Sequence, residues 1–188
     1  LNQSGDFIWA KQFGGGFGIG LSISIDAFDN IYTTGNFQGT GDFDPGAGTL
    51  ELTSVAGQDI FVSKIDAFGN FVWAKQFGGI TNYDEGVSIT NDTFGNVYYT
   101  GGFGQTVDFD PGVGVFSLTS AGESDVIISK LDASGNFVWA QQISGTMSNR
   151  GNALVTDNNN IYTVGSFIGT ANFDTGSGVF NLTALNGW

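Results

Sequence analysis

Phe-Ile-Trp-Ala-Lys-Gln-Phe at residues 7–13 decides the fold, because the same heptapeptide returns twice further along the chain. It is Phe-Val-Trp-Ala-Lys-Gln-Phe at 71–77 and Phe-Val-Trp-Ala-Gln-Gln-Ile at 137–143, so that successive copies lie 64 and 66 residues apart. Self-similarity at a fixed period is the signature of a repeat architecture. We therefore interpret the chain as three imperfect copies of one structural unit.

Three further markers recur in the same order along the chain. Asp-Phe-Asp-Pro-Gly occurs at 42–46 and again at 108–112, and it becomes Asn-Phe-Asp-Thr-Gly at 172–176. Asn-Ile-Tyr-Thr-Thr-Gly at 30–35 and Asp-Ile-Phe-Val-Ser-Lys-Ile-Asp at 59–66 also have counterparts at matching distances. Independent markers in one order indicate that the repeat covers nearly the whole chain.

Each copy is predicted to fold into short β-strands. Leu-Ser-Ile-Ser-Ile, between Gly20 and Asp26, alternates between apolar and polar residues, which is the period of a strand. Asp-Ala-Phe-Gly-Asn at 66–70 is typical of a tight turn, because Asp accepts hydrogen bonds from backbone N–H groups and Gly adopts a positive φ. In the first copy the predicted strands span 20–26, 30–37, 40–44, 49–53, 59–66 and 70–77. The strands at 40–44 and 49–53 form a hairpin that is inserted between the second and third strands of the blade.

Several predicted strands are apolar on both faces. In one of them Ile60 and Val62 point to one face while Phe61 and Ile65 point to the other. A sheet buried on both faces needs a neighbouring sheet on each side. Radially stacked propeller blades provide this, and a linear stack of sheets is the alternative. We predict an all-β fold of β-propeller-like blades, each a four-stranded antiparallel sheet with an extra hairpin insert, in a partial ring or a segment of a longer repeat array.

The repeat also predicts where each blade begins and ends. We expect residues 5–13 to be the last strand of a preceding blade. The third strand of the final blade is expected beyond Trp188, so that the chain ends within a blade. The predicted divisions are 1–19 for the preceding strand and its connecting loop, 20–79 for a blade with hairpin insert 40–53, 80–145 for a blade with hairpin insert 106–119, and 146–188 for a partial blade.

Charge and composition exclude several classes of function. The chain carries 5 basic and 18 acidic residues, a formal net charge of −13, which disfavours binding to nucleic acid and to an anionic membrane surface. No apolar run approaches the roughly 20 residues that a membrane-spanning helix needs. The chain has no Cys and no His, so Ser-His-Asp triads, thiol chemistry and the usual zinc sites cannot form within it. We predict no catalytic residue and no cofactor-binding residue other than candidate cation ligands.

The Asp-Phe-Asp-Pro-Gly segments are the candidate cation sites. Residues two apart in a strand share a face, so their carboxylates converge, and Ca²⁺ is bound by carboxylate and backbone carbonyl oxygens. The structural alternative is a turn in which Pro fixes φ and Asp accepts hydrogen bonds from free N–H groups. The candidate ligands are Asp42, Asp44, Asp108, Asp110, Asn172 and Asp174.

Four of the five basic residues and three of the tryptophans occupy repeat positions. The lysines lie in apolar strands, so we expect them to pair with Asp66, Asp132 or a carboxylate of a neighbouring blade. The tryptophans are either core anchors between blades or platforms on which sugars stack, and their apolar surroundings favour the core. The residues concerned are Lys11, Lys64, Lys75, Lys130, Trp9, Trp73 and Trp139.

One connecting loop differs between the copies. It is Phe-Gly-Ile at 17–19, Tyr-Asp-Glu at 83–85 and Ser-Asn-Arg at 148–150. Loops on a rigid scaffold are common places for binding residues. The variation fits either neutral drift or a binding rim.

Two long strings carry a resemblance to a known family. Asp-Ile-Phe-Val-Ser-Lys-Ile-Asp-Ala-Phe-Gly-Asn-Phe-Val-Trp-Ala-Lys-Gln-Phe-Gly-Gly at 59–79 and Asp-Thr-Phe-Gly-Asn-Val-Tyr-Tyr-Thr-Gly at 92–101 closely resemble the SBBP β-propeller repeat. The resemblance extends over nearly the whole chain and implies a secreted bacterial protein with many repeats, carried to the cell surface. It supplies no catalytic residues. The insert at 40–53 makes this unit longer than the usual blade of the family.

Together these patterns predict an extracellular or bacterial cell-surface repeat scaffold without catalytic activity, serving adhesion, filament assembly, or protein or glycan binding. The expected partners are flanking blades or other copies of the same protein, and a surface protein or glycan; neither nucleic acid nor membrane insertion is expected. The alternative is a propeller domain of a larger secreted Ca²⁺-dependent polysaccharide-active enzyme, since carboxylate pairs alone can hydrolyse glycosides. A linear fibre of stacked blades is a third interpretation.

Overall fold

A computed structural model describes residues 1–80 and 83–185, and within these residues the protein is all-β. That part of the chain has no helix of the length and hydrophobicity that crossing a membrane requires. Residues 81–82 and 186–188 of the predicted divisions lie outside the described residues. In chain order the strands are β1 (Phe17–Ile25), β2 (Ile31–Asp42), β3 (Glu51–Ile65), β4 (Phe71–Phe77), β5 (Glu85–Asn91), β6 (Val97–Phe103), β7 (Thr106–Asp108), β8 (Ser117–Thr119), β9 (Asp125–Leu131), β10 (Phe137–Gly145), β11 (Asn149–Thr156), β12 (Ile161–Phe167), β13 (Thr170–Asn172) and β14 (Asn181–Thr183).

The strands form three units that follow the repeat. The first unit (residues 17–77) is a sheet of β1, β2, β3 and β4 in that order. The second unit (85–145) has the order β5-β6-β9-β10, with β7 and β8 as a separate hairpin. The third unit (149–183) pairs β11 with β12 and β13 with β14. The pairings between strands are antiparallel and the sheets do not close into a ring, so the predicted antiparallel all-β fold is confirmed.

The inserted hairpin is the place where the first unit departs from the predicted strands. β2 and β3 run on through the predicted hairpin strands 40–44 and 49–53, with an irregularity at Gly39. Gly39 has a φ of 82°, and its repeat counterparts Gln105 and Gly169 have φ values of 51° and 72°. A left-handed residue therefore lies at the root of each hairpin and bends it relative to its sheet.

Residues 5–13, which were expected to be a strand, form none in the structure. β4 and β10 are held by pairing with β3 and β9, and the described residues offer 5–13 no such partner strand. One side-chain contact of the segment nevertheless matches a contact of β4. Lys11 lies against Gly69 as Lys75 lies against Gly135 of the following unit. The prediction of a strand is therefore wrong, although Lys11 makes the same contact with the first unit as Lys75 makes with the second.

Each inserted hairpin pairs with the chain that precedes its unit, and we call this contact the inter-unit bridge. The hairpin of the third unit pairs with the end of β10, which belongs to the second unit. The hairpins of the first and second units pair with the repeat counterparts of that stretch, at Gly14 and Gly79. The register of the bridge relative to the repeat is the same each time. The hairpin therefore links the backbones of successive units. The bridge pairs are Gly14 with Asp42, Gly79 with Val107, Ser144 with Asn172 and Gly145 with Ala171.

Apolar side chains form a core wherever two units meet. We call the contact between the first and second units the first junction, and that between the second and third units the second junction. Ile60 and Val62 face the first junction, while Phe61 packs with Phe37 and Phe43 on the opposite face of the same sheet. The prediction of a sheet buried on both faces is confirmed for this strand.

Serine hydroxyls fix the offset between neighbouring units. Ser22 Oγ accepts a hydrogen bond from the N–H of Ile89 at 3.2 Å, and Ser88 Oγ accepts one from the N–H of Leu154 at 3.2 Å. Ser22 and Ser88 are repeat counterparts, as are Ile89 and Leu154. β1 therefore stacks on β5 in the same way as β5 stacks on β11.

Candidate functional site

Aspartate turns join neighbouring strands in every unit. In the second unit Asp92 Oδ1 accepts hydrogen bonds from the N–H groups of Phe94 and Asn96, both at 2.9 Å. Gly95 supplies the positive φ of 78°. Burial raises the pKa of Asp92, but its hydrogen bonds, first among them those from Asn96, outweigh burial and hold that pKa below its ordinary value. The predicted turn chemistry is confirmed, and these carboxylates are engaged in structure.

Two lysines that were expected in ion pairs lie over tyrosine rings instead. Lys64 Nζ is 4.9 Å from the ring centroid of Tyr32, and Lys130 Nζ is 5.1 Å from that of Tyr98. The hydroxyl of Tyr32 donates to Asp26 Oδ2 at 2.9 Å. A tyrosine ring therefore lies between each lysine and a turn carboxylate, and cation–π attraction replaces the expected ion pair. The sequence analysis did not predict this role for the tyrosine of the Asn-Ile-Tyr marker.

The candidate cation ligands form the tips of the inserted hairpins. Asp42 Oδ1 accepts hydrogen bonds from the N–H groups of Asp44 at 3.0 Å and of Leu50 at 2.9 Å. Asp44 Oδ1 accepts one from the N–H of Gly46 at 2.7 Å. A Cβ at Gly48 would lie only 2.2 Å from Asp44 Oδ2, so a side chain there would have to displace this carboxylate. Both carboxylates therefore close the turn, as the structural alternative describes.

The other two hairpins repeat this geometry. Asp108 Oδ1 accepts hydrogen bonds from the N–H groups of Asp110 and Phe116. In the third unit Asn172 Oδ1 accepts one from the N–H of Phe180 at 2.8 Å. Because a neutral Asn does what Asp does in the other copies, this turn position requires an oxygen acceptor and not a negative charge.

The hairpin acids do not gather into a larger cluster. Nowhere in residues 1–80 and 83–185 do three or more His, Cys, Asp or Glu side chains come together as ligands for a metal ion. Further ligands to Ca²⁺ would have to come from backbone carbonyls of the turn and from water. The cation site stays a prediction. Asp42 with Asp44, Asp108 with Asp110, and Asn172 with Asp174 are the residues that would hold the ion.

The phenylalanine between the two acidic residues is the packing anchor of the hairpin. Phe43 is 2% exposed, and its ring centroid lies 4.9 Å from that of Phe37 and 5.3 Å from that of Phe61. Phe109 is fully buried and lies 5.2 Å from Phe103. Sequence reasoning missed this role. The signal for it was a large aromatic residue that stays unchanged in all three copies of an otherwise polar turn.

Two buried carboxylates interact at the first junction. Asp84 is fully buried, and its two oxygens accept hydrogen bonds from the N–H groups of Gly79 at 3.0 Å and Gly104 at 3.1 Å. Burial raises the pKa of Asp84 to about 6 against these hydrogen bonds, and the charge of Asp59 adds to the rise. Asp59 is equally buried, and within the described residues its Oδ1 has no hydrogen-bond partner. This junction therefore encloses poorly compensated negative charge when both acids are ionised.

The second junction has an amide at the equivalent place. Asn149 is the repeat counterpart of Asp84, and Asp125 is the counterpart of Asp59. Asn149 Nδ2 donates to Asp125 Oδ1 at 3.3 Å, and the N–H of Gly145 donates to the same oxygen at 3.0 Å. The second junction therefore buries one carboxylate fewer and gives its remaining carboxylate an additional donor.

The variable tripeptides of the second and third copies come together at the rim of the second junction. Arg150 Nη2 lies 2.9 Å from Glu85 Oε2, and Arg150 Nε donates to the same oxygen at 3.0 Å. Tyr83 is 68% exposed beside this pair. The sequence predicts only a variable connecting loop here, but Glu85 begins β5 and Arg150 lies in β11, and the structure makes these two residues neighbours.

The repeated tryptophans differ in how deeply they are buried. Trp73 is 8% exposed and belongs to the core of the first junction, where its Nε1 donates to the carbonyl oxygen of Ala133 at 3.2 Å. Trp139 is partly buried against the core of the second junction, and Trp9 is partly buried as well. The preference for core anchors over sugar platforms is therefore confirmed for Trp73.

The architecture and the recurring junction residues define a class, the antiparallel all-β repeat proteins. Within this class, residues 72–101 match the model of the SBBP family, described as a beta-propeller repeat. The matched segment runs from β4 through β5 to β6 and so spans the first junction. The resemblance stated from the sequence is confirmed there. No curated protein matches the chain.

Proposed function

We propose that this chain is part of an extracellular or cell-surface repeat scaffold without catalytic activity, in which the three units act as propeller-type blades. The observation that carries the proposal is the repetition of contacts between units. The inter-unit bridge and the serine contact recur in the same register at successive junctions. A surface that joins one unit to the next in this way also fits a further unit, either a flanking blade or another copy.

Differences between the copies support the same proposal. Residues of the framework recur from copy to copy, including the aspartate turns within the units and the phenylalanine of each hairpin. The rim tripeptides 83–85 and 148–150 differ in every position. A scaffold that keeps its framework and varies its rim suits adhesion or protein or glycan binding. The net charge of −13 favours solubility and repels phosphate backbones.

A role in polysaccharide cleavage has less support. Glycoside hydrolysis requires two carboxyl groups on either side of an open site. Asp59 and Asp84 interact, but both are fully buried. Asp42 and Asp44 accept hydrogen bonds from the backbone of their own turn.

Electron microscopy of the native protein, together with turnover assays on polysaccharides and peptides, tests the proposal. We expect regularly stacked units, in a ring or a fibre, and no turnover. Turnover that a single substitution in this segment abolishes, while the variant stays folded, would contradict the scaffold.

Variants at the two junctions test whether the serine contacts stabilise the stacking of the units. Ser22→Ala and Ser88→Ala remove an acceptor for a backbone N–H at the first and second junctions, and we expect each to lower the unfolding midpoint. Ser177→Ala, at an exposed hairpin tip, is the matched control and should leave the midpoint unchanged.

A further inference from the structure

A cavity of about 420 Å³ opens at the rim of the second junction, where the variable tripeptides 83–85 and 148–150 meet. Its volume falls in the range of small-molecule sites, roughly 300–1,000 Å³. One exposed aromatic ring, an ion pair, three serine hydroxyl groups and an apolar ring contribute to its wall. These residues are Tyr83, Glu85, Ser124, Ser148, Arg150, Ser166 and Phe167.

Tyr83 gives the cavity an apolar platform with a polar edge. Its side chain is 68% exposed, whereas the repeated Trp73 is buried in the junction core. A tyrosine ring combines an apolar face with a hydroxyl group. The flat C–H face of a pyranose ring packs well on such a surface. Tyr83 is therefore available to a ligand in a way that the core aromatics are not.

The Glu85–Arg150 pair gives the cavity fixed polar groups without net charge. Arg150 contacts Glu85 Oε2 through both Nε and Nη2, and its Nη1 lies 3.4 Å from Asn152 Oδ1. These contacts hold the guanidinium plane in one orientation. The side chains of Arg150 and Glu85 stay 44% and 20% exposed, so their remaining donor and acceptor positions can serve hydroxyl groups. Ser148 Oγ donates to Glu123 Oε2 at 2.8 Å, and as a hydroxyl oxygen it can also accept a hydrogen bond.

We propose that this rim cavity binds a neutral saccharide of one or two rings, which stacks on Tyr83 and hydrogen-bonds to the Glu85–Arg150 pair. The inference rests on the proposed scaffold function, because it assigns a ligand class to the rim of that scaffold. A neutral sugar has an apolar C–H face that can pack on Tyr83 and hydroxyl groups that can hydrogen-bond to the Glu85–Arg150 pair. An anionic ligand fits less well, because Glu85 already engages Arg150 and the chain carries a net charge of −13.

The first junction lacks this combination although its framework is the same. The counterpart of 83–85 there is Phe-Gly-Ile at 17–19, so Ile19 takes the place of Glu85. On the other side of the first junction the tripeptide 83–85 stands where 148–150 stands at the second, so Glu85 takes the place of Arg150. An acid–base pair therefore cannot form at that rim, and the proposed site belongs to the second junction alone among the two described.

Titration of the isotope-labelled protein with neutral saccharides, followed by the chemical shifts of its amides, tests the inference. The probes are the methyl glycosides of glucose, galactose and mannose, with cellobiose and maltose as two-ring probes. We expect saturable shift changes at 83–85 and 148–150 with at least one probe. Tyr83→Ala should weaken that binding about ten-fold or more, as truncation of a central aromatic contact does. Tyr83→Phe, which keeps the ring, should retain most of it.

Phe68→Ala is the matched control, because Phe68 is 79% exposed on an aspartate turn of the first unit, and it should leave binding unchanged. The inference is overturned if no neutral probe gives saturable shifts, or if Tyr83→Ala binds as the parent does. Tighter binding of glucuronate than of the methyl glucoside would also overturn it. Thermal melting of each variant establishes that it is folded. The scaffold proposal fails separately, through substrate turnover, so the two failures are distinguishable.

Discussion

The two junctions of the molecule share a framework and differ at their polar centre. Each has an inter-unit bridge, a serine contact and an apolar core. At the first junction Asp84 and Asp59 are both buried acids, whereas at the second Asn149 donates to Asp125. The framework therefore accepts different buried polar pairs, provided that the N–H of Gly79 or of its counterpart Gly145 finds an acceptor oxygen.

The junctions also differ in how deeply the hairpin phenylalanine is buried. Phe109 is fully buried in the core of the first junction, and Phe173 is partly buried at the second. We expect Phe109→Ala to lower the free energy of unfolding by about 3–5 kcal/mol, because it leaves a cavity in a packed core. Phe173→Ala should lower the free energy of unfolding by clearly less, because Phe173 is only partly buried. Urea denaturation followed by tryptophan fluorescence measures both, and equal losses would contradict the comparison.

The acid pair should make the first junction sensitive to pH. Burial raises the pKa of Asp84 from 3.8 to about 6, so the folded state binds this proton more tightly than the unfolded state. The resulting stability is fully present below about pH 4 and is lost as the pH rises through about 6. The loss amounts to about 3 kcal/mol at most. The raised pKa of Asp59, again caused by burial, acts in the same direction.

Exchanging the two centres tests that dependence. Asp84→Asn gives the first junction the amide of the second, and we expect the decline of stability between pH 4 and pH 6 to become shallower. Asn149→Asp should introduce such a decline at the second junction, where Asp125 then faces another acid. Thermal melting across this pH range measures both. Profiles that match the parent protein for both variants would refute the electrostatic account of the first junction.

At the first acidic position of the hairpin the first and third units differ by one charge, Asp42 against Asn172, and we expect this difference to have a smaller effect on stability. Asp42→Asn copies the third unit and keeps an acceptor oxygen, so we expect a change within about 0.5 kcal/mol. Asp42→Ala removes the acceptor for two N–H groups and should cost about 1–2 kcal/mol. Melting with calcium and with EDTA separates the two interpretations of the hairpin. A calcium-dependent rise that Asp42→Asn abolishes would contradict the purely structural turn.

The smallest effect is expected at the root of the hairpins. Gln105 has a φ of 51° where the other units have glycine. Gln105→Gly should therefore stabilise the protein by about 1 kcal/mol, because glycine adopts this conformation without the penalty that a side chain brings. Gly39→Gln is the reciprocal variant and should destabilise by a similar amount. A lower melting temperature for Gln105→Gly would show that the Gln105 side chain makes a contact that outweighs its strain.

Features that depend on neighbouring residues could be predicted from the sequence. Alternation in Leu-Ser-Ile-Ser-Ile indicates β1, and Asp-Thr-Phe-Gly-Asn at 92–96 indicates a turn, because each signal lies within one element. The repeat then extends these predictions to the other copies. The burial of both faces also follows, since Ile60 and Phe61 are apolar neighbours in one strand.

Features that depend on contacts between units could not be predicted. The inter-unit bridge joins positions in different copies, and no local pattern indicates it. Asp84 could be read only as a loop residue, since its burial follows from the way two units meet. Residues 5–13 carry a strand pattern but pair with no strand in the structure, because a strand requires a partner as well as a pattern.

The inter-unit bridge is the central claim, because it turns an inserted hairpin into a link between units. Nuclear Overhauser contacts between backbone protons measure it directly in solution. We predict contacts between Gly79 and Val107 and between Gly145 and Ala171, in addition to those within the hairpins, such as Val107 with Leu118. Contacts within the hairpins alone, with none to the preceding unit, would contradict the account.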